Sequence, residues 1–233
     1  MAVTEQTREQ MRETLARYPR QRSALMPLLH LAQADEGAIT TEGIAEVASM
    51  VGLTEAEVTA VATFYTMYVE RQSGEHRVGV CINSLCALLG GDEIWSALTE
   101  HCGIGHGETT PDGKVTLERI ECQAACTHAP VMTADWEFLD DMTVSKAKEV
   151  VDALRVGERV ESSRGPTIRS FKEAERTIAG VDDSLADEGD HGDDRMLAGL
   201  KLAKANGDFD AALSAQGKAA QTNASQPSRG KGS

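Results

Sequence analysis

Four of the five cysteines in this sequence form two close pairs, and each pair stands beside a short apolar run. Cys81 and Cys86 enclose four residues, Cys122 and Cys126 enclose three, and 35 residues separate the two pairs. Each pair can bind a soft metal through two thiolates. If the fold brings the two pairs together, the four thiolates suit a soft metal ion or an iron–sulfur cluster. The spacing therefore predicts a thiolate centre built from these four side chains.

Other cysteine chemistries fit the same residues less well. Structural zinc also accepts four cysteines, although its knuckles usually enclose two to four residues and often two, so zinc stays open as an alternative. A thioredoxin-type dithiol needs Cys-x-x-Cys, which the sequence lacks. A Rieske centre needs Cys-x-His twice, and the sequence has it once, at Cys126–His128. No serine or histidine nucleophile and no dinucleotide-binding motif stand out, so we expect no catalytic residue on this chain.

Two further residues of metal-binding type have structural explanations. Cys102 falls at helical spacing on the face that carries Ile94 and Leu98, and free cysteine is often buried. We therefore expect Cys102 to pack in the core. His30 stands among leucines and is predicted to be a histidine of a helix face rather than a ligand.

Composition restricts the class of partner and the compartment. The 233 residues carry a formal net charge of −14, which argues against binding to nucleic acid or to an anionic membrane surface. No stretch approaches the roughly 18–20 apolar residues of a membrane span, and the N-terminus shows no apolar segment typical of a secretory signal. We expect a cytoplasmic chain, in which cysteines serve metal or redox chemistry rather than disulfides.

Residues 1–73 are predicted to form a small antiparallel helical bundle, because apolar residues recur at helical spacing through most of this segment. Pro27 is tolerated only in the first turn of a helix, so the leucine-rich helix around it should begin close to residue 24. Thr54 and Glu57 have the spacing of a capping box and predict the start of a later helix.

Residues 74–160 change to the two-residue period of strands, interrupted by two helical segments. The predicted strands are 77–81, 114–121, 131–134 and 137–139, and the predicted helices begin near Asp92 and Val144. The order β-α-β-β-β-α fits a four-stranded, mixed, thioredoxin-like sheet, so the predicted class is α+β. Because both cysteine pairs follow a strand, neighbouring strands would bring them to one end of the sheet.

Residues 161–233 are predicted to form an extended, largely irregular tail, since acidic and small polar residues predominate there. Two amphipathic stretches interrupt it, Ile168–Ile178 and Met196–Leu213. Such stretches favour docking on partner subunits, and transient helices without a partner are the alternative.

Several motifs, taken together, resemble those of one known family. They are Val78–Cys86, Gly91–Ile94, Gly107–Gly113, Glu121–Met132 and, upstream, Phe64–Met67. They look like the NuoE-type [2Fe–2S] subunit of bacterial respiratory complex I, the NADH-quinone oxidoreductase, over roughly residues 18 to 156. Two loops depart from the family pattern. The family usually has proline where this chain has Leu85, and Leu-Gly-Ala where this chain has Gln123–Ala125.

The resemblance implies a helical bundle followed by a thioredoxin-like ferredoxin domain, with one [2Fe–2S] cluster on Cys81, Cys86, Cys122 and Cys126. It also implies single-electron exchange with the FMN of an adjacent flavoprotein subunit that binds NADH. The large iron–sulfur subunit of the peripheral arm is the second implied partner. The complex would lie on the cytoplasmic side of the inner (plasma) membrane, without direct insertion of this chain. The alternative assembly is the homologous diaphorase module of an NAD-linked hydrogenase or formate dehydrogenase.

Overall fold

The computed structural model describes residues 3–184, 188–189 and 192–207 of the chain. The chain divides into two units, of which the first ends at Gly189 and the second begins at Asp190. All five cysteines belong to the first unit.

Four α-helices form the N-terminal part of the first unit: α1 (Glu5–Ala16), α2 (Leu25–Glu36), α3 (Thr41–Val51) and α4 (Glu55–Phe64). Helix α2 is the central one, because buried residues lie on all of its faces and α1, α3 and α4 pack around it. Within the described residues no single helix has the length and apolar composition needed to cross a membrane, whereas α3 and α4, bent by 116° at a short break, meet that test as a pair.

The helix ends follow signals that the sequence carries. The Thr54 hydroxyl accepts a hydrogen bond from the backbone N–H of Glu57, and the Glu57 carboxylate accepts one from the N–H of Thr54, so the capping box is confirmed. Helix α2 begins at Leu25, which leaves Pro27 in its first turn as predicted. Helix α3 ends at Gly52, whose φ of 68° suits glycine.

A five-stranded mixed sheet follows the bundle. It contains β1 (His76–Cys81), β2 (Glu108–Thr109), β3 (Val115–Ile120), β4 (Met132–Ala134) and β5 (Glu137–Leu139), in the spatial order β2-β3-β1-β4-β5. The predicted α+β class is confirmed, and the sheet has one strand more than the four predicted. The additional strand, β2, pairs antiparallel with β3 through two residues, which is too short for a strand to be recognised by alternation.

Strand β1 is buried along its whole length and has β3 as a parallel neighbour, with Cys81 opposite Ile120. Parallel strands need a long crossover connection. Here it consists of α5 (Ser84–Cys86), a π-helical turn (Ala87–Gly91) and α6 (Asp92–Cys102). Helix α6 and a later helix, α7 (Val144–Val156), pack together and with the sheet in a second apolar core. The boundary predicted between residues 73 and 74 stays a prediction.

The beginning of the tail is part of the first unit. Helix α8 (Phe171–Ile178) lies against α2, and its residues Phe171 and Glu175 are buried. In the second unit, α9 (Asp194–Ala205) has no buried residue. The part of the predicted stretch Met196–Leu213 beyond residue 207 lies outside the described residues. Docking of the tail on partner subunits stays a prediction.

A buried carboxylate anchors α8. Oε2 of Glu175 lies 2.6 Å from His30 Nδ1 and accepts a hydrogen bond from Gln33 Nε2 at 2.9 Å, and Oε1 accepts one from the Trp136 indole at 2.9 Å. The side chain of Glu175 has no exposed surface. His30 is therefore a hydrogen-bonded residue of the interior, and it stands with Glu175 rather than with the cysteines.

Candidate iron–sulfur centre

Both cysteine pairs lie at the same end of the sheet. Cys81 is the last residue of β1, and Cys86 follows it in α5. Cys122 stands two residues beyond Ile120, the last residue of β3, and Cys126 begins a short 3₁₀ turn. Because β1 and β3 run parallel and adjacent with Cys81 opposite Ile120, the chain leaves both strands at one edge.

The first pair is buried. Cys81 and Cys86 expose 2% and 3% of their surfaces. Burial, followed by the neighbouring Cys81 thiol, raises the pKa of Cys86 to about 11, although the nearby backbone of Val131 opposes the rise. Such a thiol stays protonated at neutral pH unless a metal ion displaces the proton, as soft metal centres do.

The second pair is exposed, and its sulfurs are close together. Cys122 Sγ and Cys126 Sγ are 3.6 Å apart. The shared hydrogen bond with Cys122 is the main cause that raises the pKa of Cys126, and the charge of Cys81 adds to it. The backbone N–H of Ala124 donates to Cys122 Sγ at 3.4 Å, and Ala124 has a φ of 56°. This left-handed conformation is uncommon outside glycine and gives the loop its tight curve between the two sulfurs.

The two pairs form one neighbourhood. Cys81 and Cys86 pack with Val131 and with Ala125, the residue before Cys126. Cys126 in turn affects the ionisation of Cys86, and Cys81 affects that of Cys126. Among the described residues, no group of three or more histidine, cysteine, aspartate or glutamate side chains is arranged to hold a single metal ion. The arrangement is two pairs of donors.

Two pairs of thiols fit a binuclear cluster, because each iron of a [2Fe–2S] cluster takes two cysteine sulfurs. The soft donors, the N–H group of Ala124 directed at the Cys122 sulfur, and the tight backbone around the first pair also suit such a group. A Cβ added to Gly91 would lie 2.7 Å from the Cys81 carbonyl oxygen, so this loop needs glycine to approach the end of β1.

Cys102 is placed apart from the two pairs. It ends α6 and packs against the core between the sheet and its helices, and burial raises its pKa. This position agrees with the packing role expected for it.

One residue at the site was not anticipated from the sequence. The Ala124 N–H that meets Cys122 lies within the loop between Cys122 and Cys126, where the sequence places the pair. Val131 lies outside both cysteine loops, and its packing with Cys81 and Cys86 depends on how β4 approaches β1. No spacing or composition signal marks a contact of this kind.

Residues 11–155 match the sequence model of the thioredoxin-like [2Fe-2S] ferredoxin family. The E subunit of NADH-quinone oxidoreductase from Mycobacterium tuberculosis is 50% identical over 196 residues, which cover 84% of this chain and 78% of the relative. A match of that length in 233 residues must run past Ile178, so it includes α8.

NADH-quinone oxidoreductase subunit 2 of Thermus thermophilus is 40% identical over 159 residues, which cover 67% of this chain and 88% of the relative. Among solved structures, an NAD+-reducing [NiFe]-hydrogenase in the air-oxidized state is similar with a TM-score of 0.51 at 16% identity. The similarity covers 57% of this chain and 23% of that one, and it indicates a shared fold.

Proposed function

Since the chain belongs to the thioredoxin-like [2Fe–2S] ferredoxin family, and within it to the E subunits of NADH-quinone oxidoreductase, we propose that it carries electrons through one cluster bound by Cys81, Cys86, Cys122 and Cys126. The observation that carries this proposal is the meeting of the two cysteine pairs at one end of the sheet, after the parallel strands β1 and β3.

A [2Fe–2S] cluster bound there would accept and release one electron at a time. The residues of this chain would hold it, restrict water on the side of the buried Cys81 and Cys86, and direct the Ala124 N–H at Cys122. Such hydrogen bonds stabilise the extra negative charge of the reduced state and so raise the reduction potential. Electron transfer of this kind needs no proton donor, which agrees with a site built from thiols and backbone amides.

The proposed electron partner is a flavoprotein subunit that binds FMN and NADH. The large iron–sulfur subunit of the peripheral arm is the second proposed partner, and the proposed location is the cytoplasmic side of the membrane-bound complex. The names of the relatives at 50% and 40% identity support this assembly. The diaphorase module of a hydrogenase has weaker support, because the hydrogenase structure shares only 16% identity and therefore indicates the fold alone.

Zinc is the chemical alternative, and the two-by-two arrangement of thiols favours the cluster over it. A structural zinc ion needs its four ligands around one point. In the described residues the sulfurs of Cys122 and Cys126 form a pair 3.6 Å apart, and no set of three ligands surrounds one position.

The decisive experiment is electron paramagnetic resonance (EPR) on the purified full chain, with iron, sulfide and zinc assayed on the same sample. We expect about two irons and two sulfides per chain, a red-brown colour and a rhombic signal after reduction with dithionite. A colourless protein with one zinc per chain and no signal would overturn the proposal.

A further inference from the structure

His128 is a buried residue directly beside the second cysteine pair. It ends the 3₁₀ turn Cys126–His128 and completes the Cys-x-His of this chain, which a Rieske centre would need twice. The side chain of His128 is only 6% exposed, whereas Cys126 is exposed. An exposed residue gains little rigidity from its own packing, so the buried neighbour is where this loop can be held.

The imidazole of His128 is hydrogen-bonded to Asp141, in the loop between β5 and α7. Nδ1 of His128 lies 3.0 Å from Oδ2 of Asp141, and because a carboxylate only accepts hydrogen bonds, Nδ1 carries the proton and donates it. The backbone N–H of Asp141 donates in turn to the carbonyl oxygen of His128 at 2.8 Å. The two residues are thus joined twice, once through their side chains and once through the backbone.

The loop that contains Asp141 is itself tied to the core. Asp141 has a φ of 49°, in the left-handed region that aspartate enters more readily than most residues. The next residue, Met142, is buried in the core between the sheet and its helices, and its N–H donates to the Pro130 carbonyl oxygen at 3.0 Å. The pair His128–Asp141 therefore connects the second cysteine loop to the folded core.

We propose that His128 is a positioning residue for the iron–sulfur cluster, an inference that rests on the proposed function. Through its hydrogen bond to Asp141 it fixes the loop that carries Cys126. The described residues contain no group in which a histidine joins two cysteines around one position, so the role is indirect. Removal of partners that orient a metal ligand from outside typically costs about 10–100-fold in metal affinity or activity.

The test measures how fast the full, cluster-loaded chain releases iron to the chelator ferrozine under reducing conditions. His128→Leu keeps a side chain in the buried position but removes the donor, and we expect it to release iron about 10–100 times faster than the wild type. His128→Asn places an amide N–H near the position of Nδ1 and should stay within about twofold of the wild-type rate.

The acceptor side of the pair gives a matched set of variants. Asp141→Gly removes the carboxylate and tolerates the left-handed backbone, so it should release iron as fast as His128→Leu. If the two residues act as a pair, the double variant should be no worse than either single one. The control is Asp140→Asn, because the carboxylate of Asp140 binds Arg164 at 3.0 Å and not the cysteine loop. This control should release iron at the wild-type rate.

The reduction potential is a second measurement. The same loop carries the Ala124 N–H that donates to Cys122 Sγ at 3.4 Å. Because such hydrogen bonds raise the potential, a loosened loop should lower it. A redox titration followed by EPR should give a lower potential for His128→Leu than for the wild type, and an unchanged one for His128→Asn and Asp140→Asn.

Iron and sulfide in the wild-type chain separate failure of this inference from failure of the proposed function. If the wild type contains neither, the proposed function fails. If it carries the cluster but His128→Leu and Asp141→Gly release iron at its rate, the inference is wrong. Equal loss in His128→Asn and His128→Leu would show that the imidazole itself is required, and equal loss in Asp140→Asn would show a general loosening; either result overturns the pair. If His128→Leu does not fold, as judged by circular dichroism, Asp141→Gly decides alone.

Discussion

The indole N–H of Trp136 donates a hydrogen bond of 2.9 Å to the buried carboxylate of Glu175, a residue of the tail. Trp136 lies in the turn between β4 and β5, and Gln33 of α2 binds the other carboxylate oxygen. One acidic side chain therefore joins the helical bundle, the sheet and the tail. The first helix of the tail is part of the structure that carries the cysteines.

Glu175→Gln should lower the free energy of unfolding by about 1–3 kcal/mol, because an amide group would replace one of two oxygens that both accept hydrogen bonds, and a buried donor would lose its partner. The control is Glu173→Gln in the same helix, which keeps the capping box with Ser170. Urea unfolding followed by circular dichroism and tryptophan fluorescence gives both values. Equal midpoints for the two variants would contradict the structural role of Glu175.

Two truncated chains should differ sharply in their stability. A chain ending at residue 165 loses Phe171 and Glu175, which leaves an uncovered apolar surface and the unpaired polar groups of α2, so we expect a loss of about 3 kcal/mol or more. A chain ending at residue 189 keeps α8 and should unfold at the wild-type temperature. Differential scanning calorimetry distinguishes them. If the shorter chain is as stable as the longer one, α8 contributes nothing to the first unit.

Cys122→Ser should lose most of its iron and sulfide, since serine removes one of the two thiolates that clamp the exposed side of the centre. Cys102→Ser should keep the visible spectrum, because Cys102 is half-buried against the core and stands apart from the two pairs. Absorption and EPR spectra of the two purified variants make the comparison. Identical loss of the cluster in both would refute the ligand assignment.

Ala124→Val should reduce the iron and sulfide bound per chain. The backbone of Ala124 is left-handed and aims its N–H at Cys122, and a β-branched residue is a strained outlier there, by about 1–2 kcal/mol or more. Ala124→Gly relieves the strain and should retain the cluster fully. Iron and sulfide assays, with the rate at which colour fades on heating, report the effect. A valine variant that matches the wild type would show that the loop does not need this conformation.

Asp135→Asn should flatten the pH dependence of stability between about pH 4 and 6. Burial raises the pKa of Asp135 from 3.8 to about 6, even though His76 hydrogen-bonds to it. The folded state therefore keeps a proton that the unfolded chain releases near pH 4. The stability that this proton contributes to the folded state is fully present below pH 4 and is lost as the pH rises through about 6. For His76, burial opposes charging, but the bond to Asp135 outweighs burial and raises the pKa, which extends the same downward trend above pH 6.5.

Asp112→Asn is the control for this pH effect. Hydrogen bonds from Thr110 and Arg155 lower the pKa of Asp112 to about 2, so its contribution is present above about pH 4 and is lost as the pH falls through 2. Unfolding curves from pH 2 to 8 should show that Asp135→Asn changes the stability between about pH 4 and 6, whereas Asp112→Asn changes it between about pH 2 and 4. The two contributions to the wild-type stability have opposite slopes with pH. A wild-type slope between pH 4 and 6 in Asp135→Asn would disprove the assignment.

The sequence predicted the elements whose signals are local and repeated. The capping box at Thr54, the position of Pro27 and the strands that end at the two cysteine pairs were all recognisable from residue type and spacing. Strand β2 was not, because two residues contain no alternation and only pairing with β3 makes them a strand.

Contacts between distant segments are the part that the sequence left undetermined. Glu175 follows Phe171 by four residues and so shares its helix face, a weak sign that the carboxylate would be buried. Its partners come from α2 and from a turn of the sheet, and no periodicity identifies them. At the site, the packing of Val131 with Cys81 and Cys86 is likewise a contact that no periodicity identifies.

The place of β1 at the middle of the sheet has a consequence for biosynthesis. Its neighbours β3 and β4 both come later in the chain, so Cys81 and Cys86 are synthesised before the strands that enclose them. The four proposed ligands are present together only after synthesis has passed Cys126, so a cluster that uses all four can be completed only then.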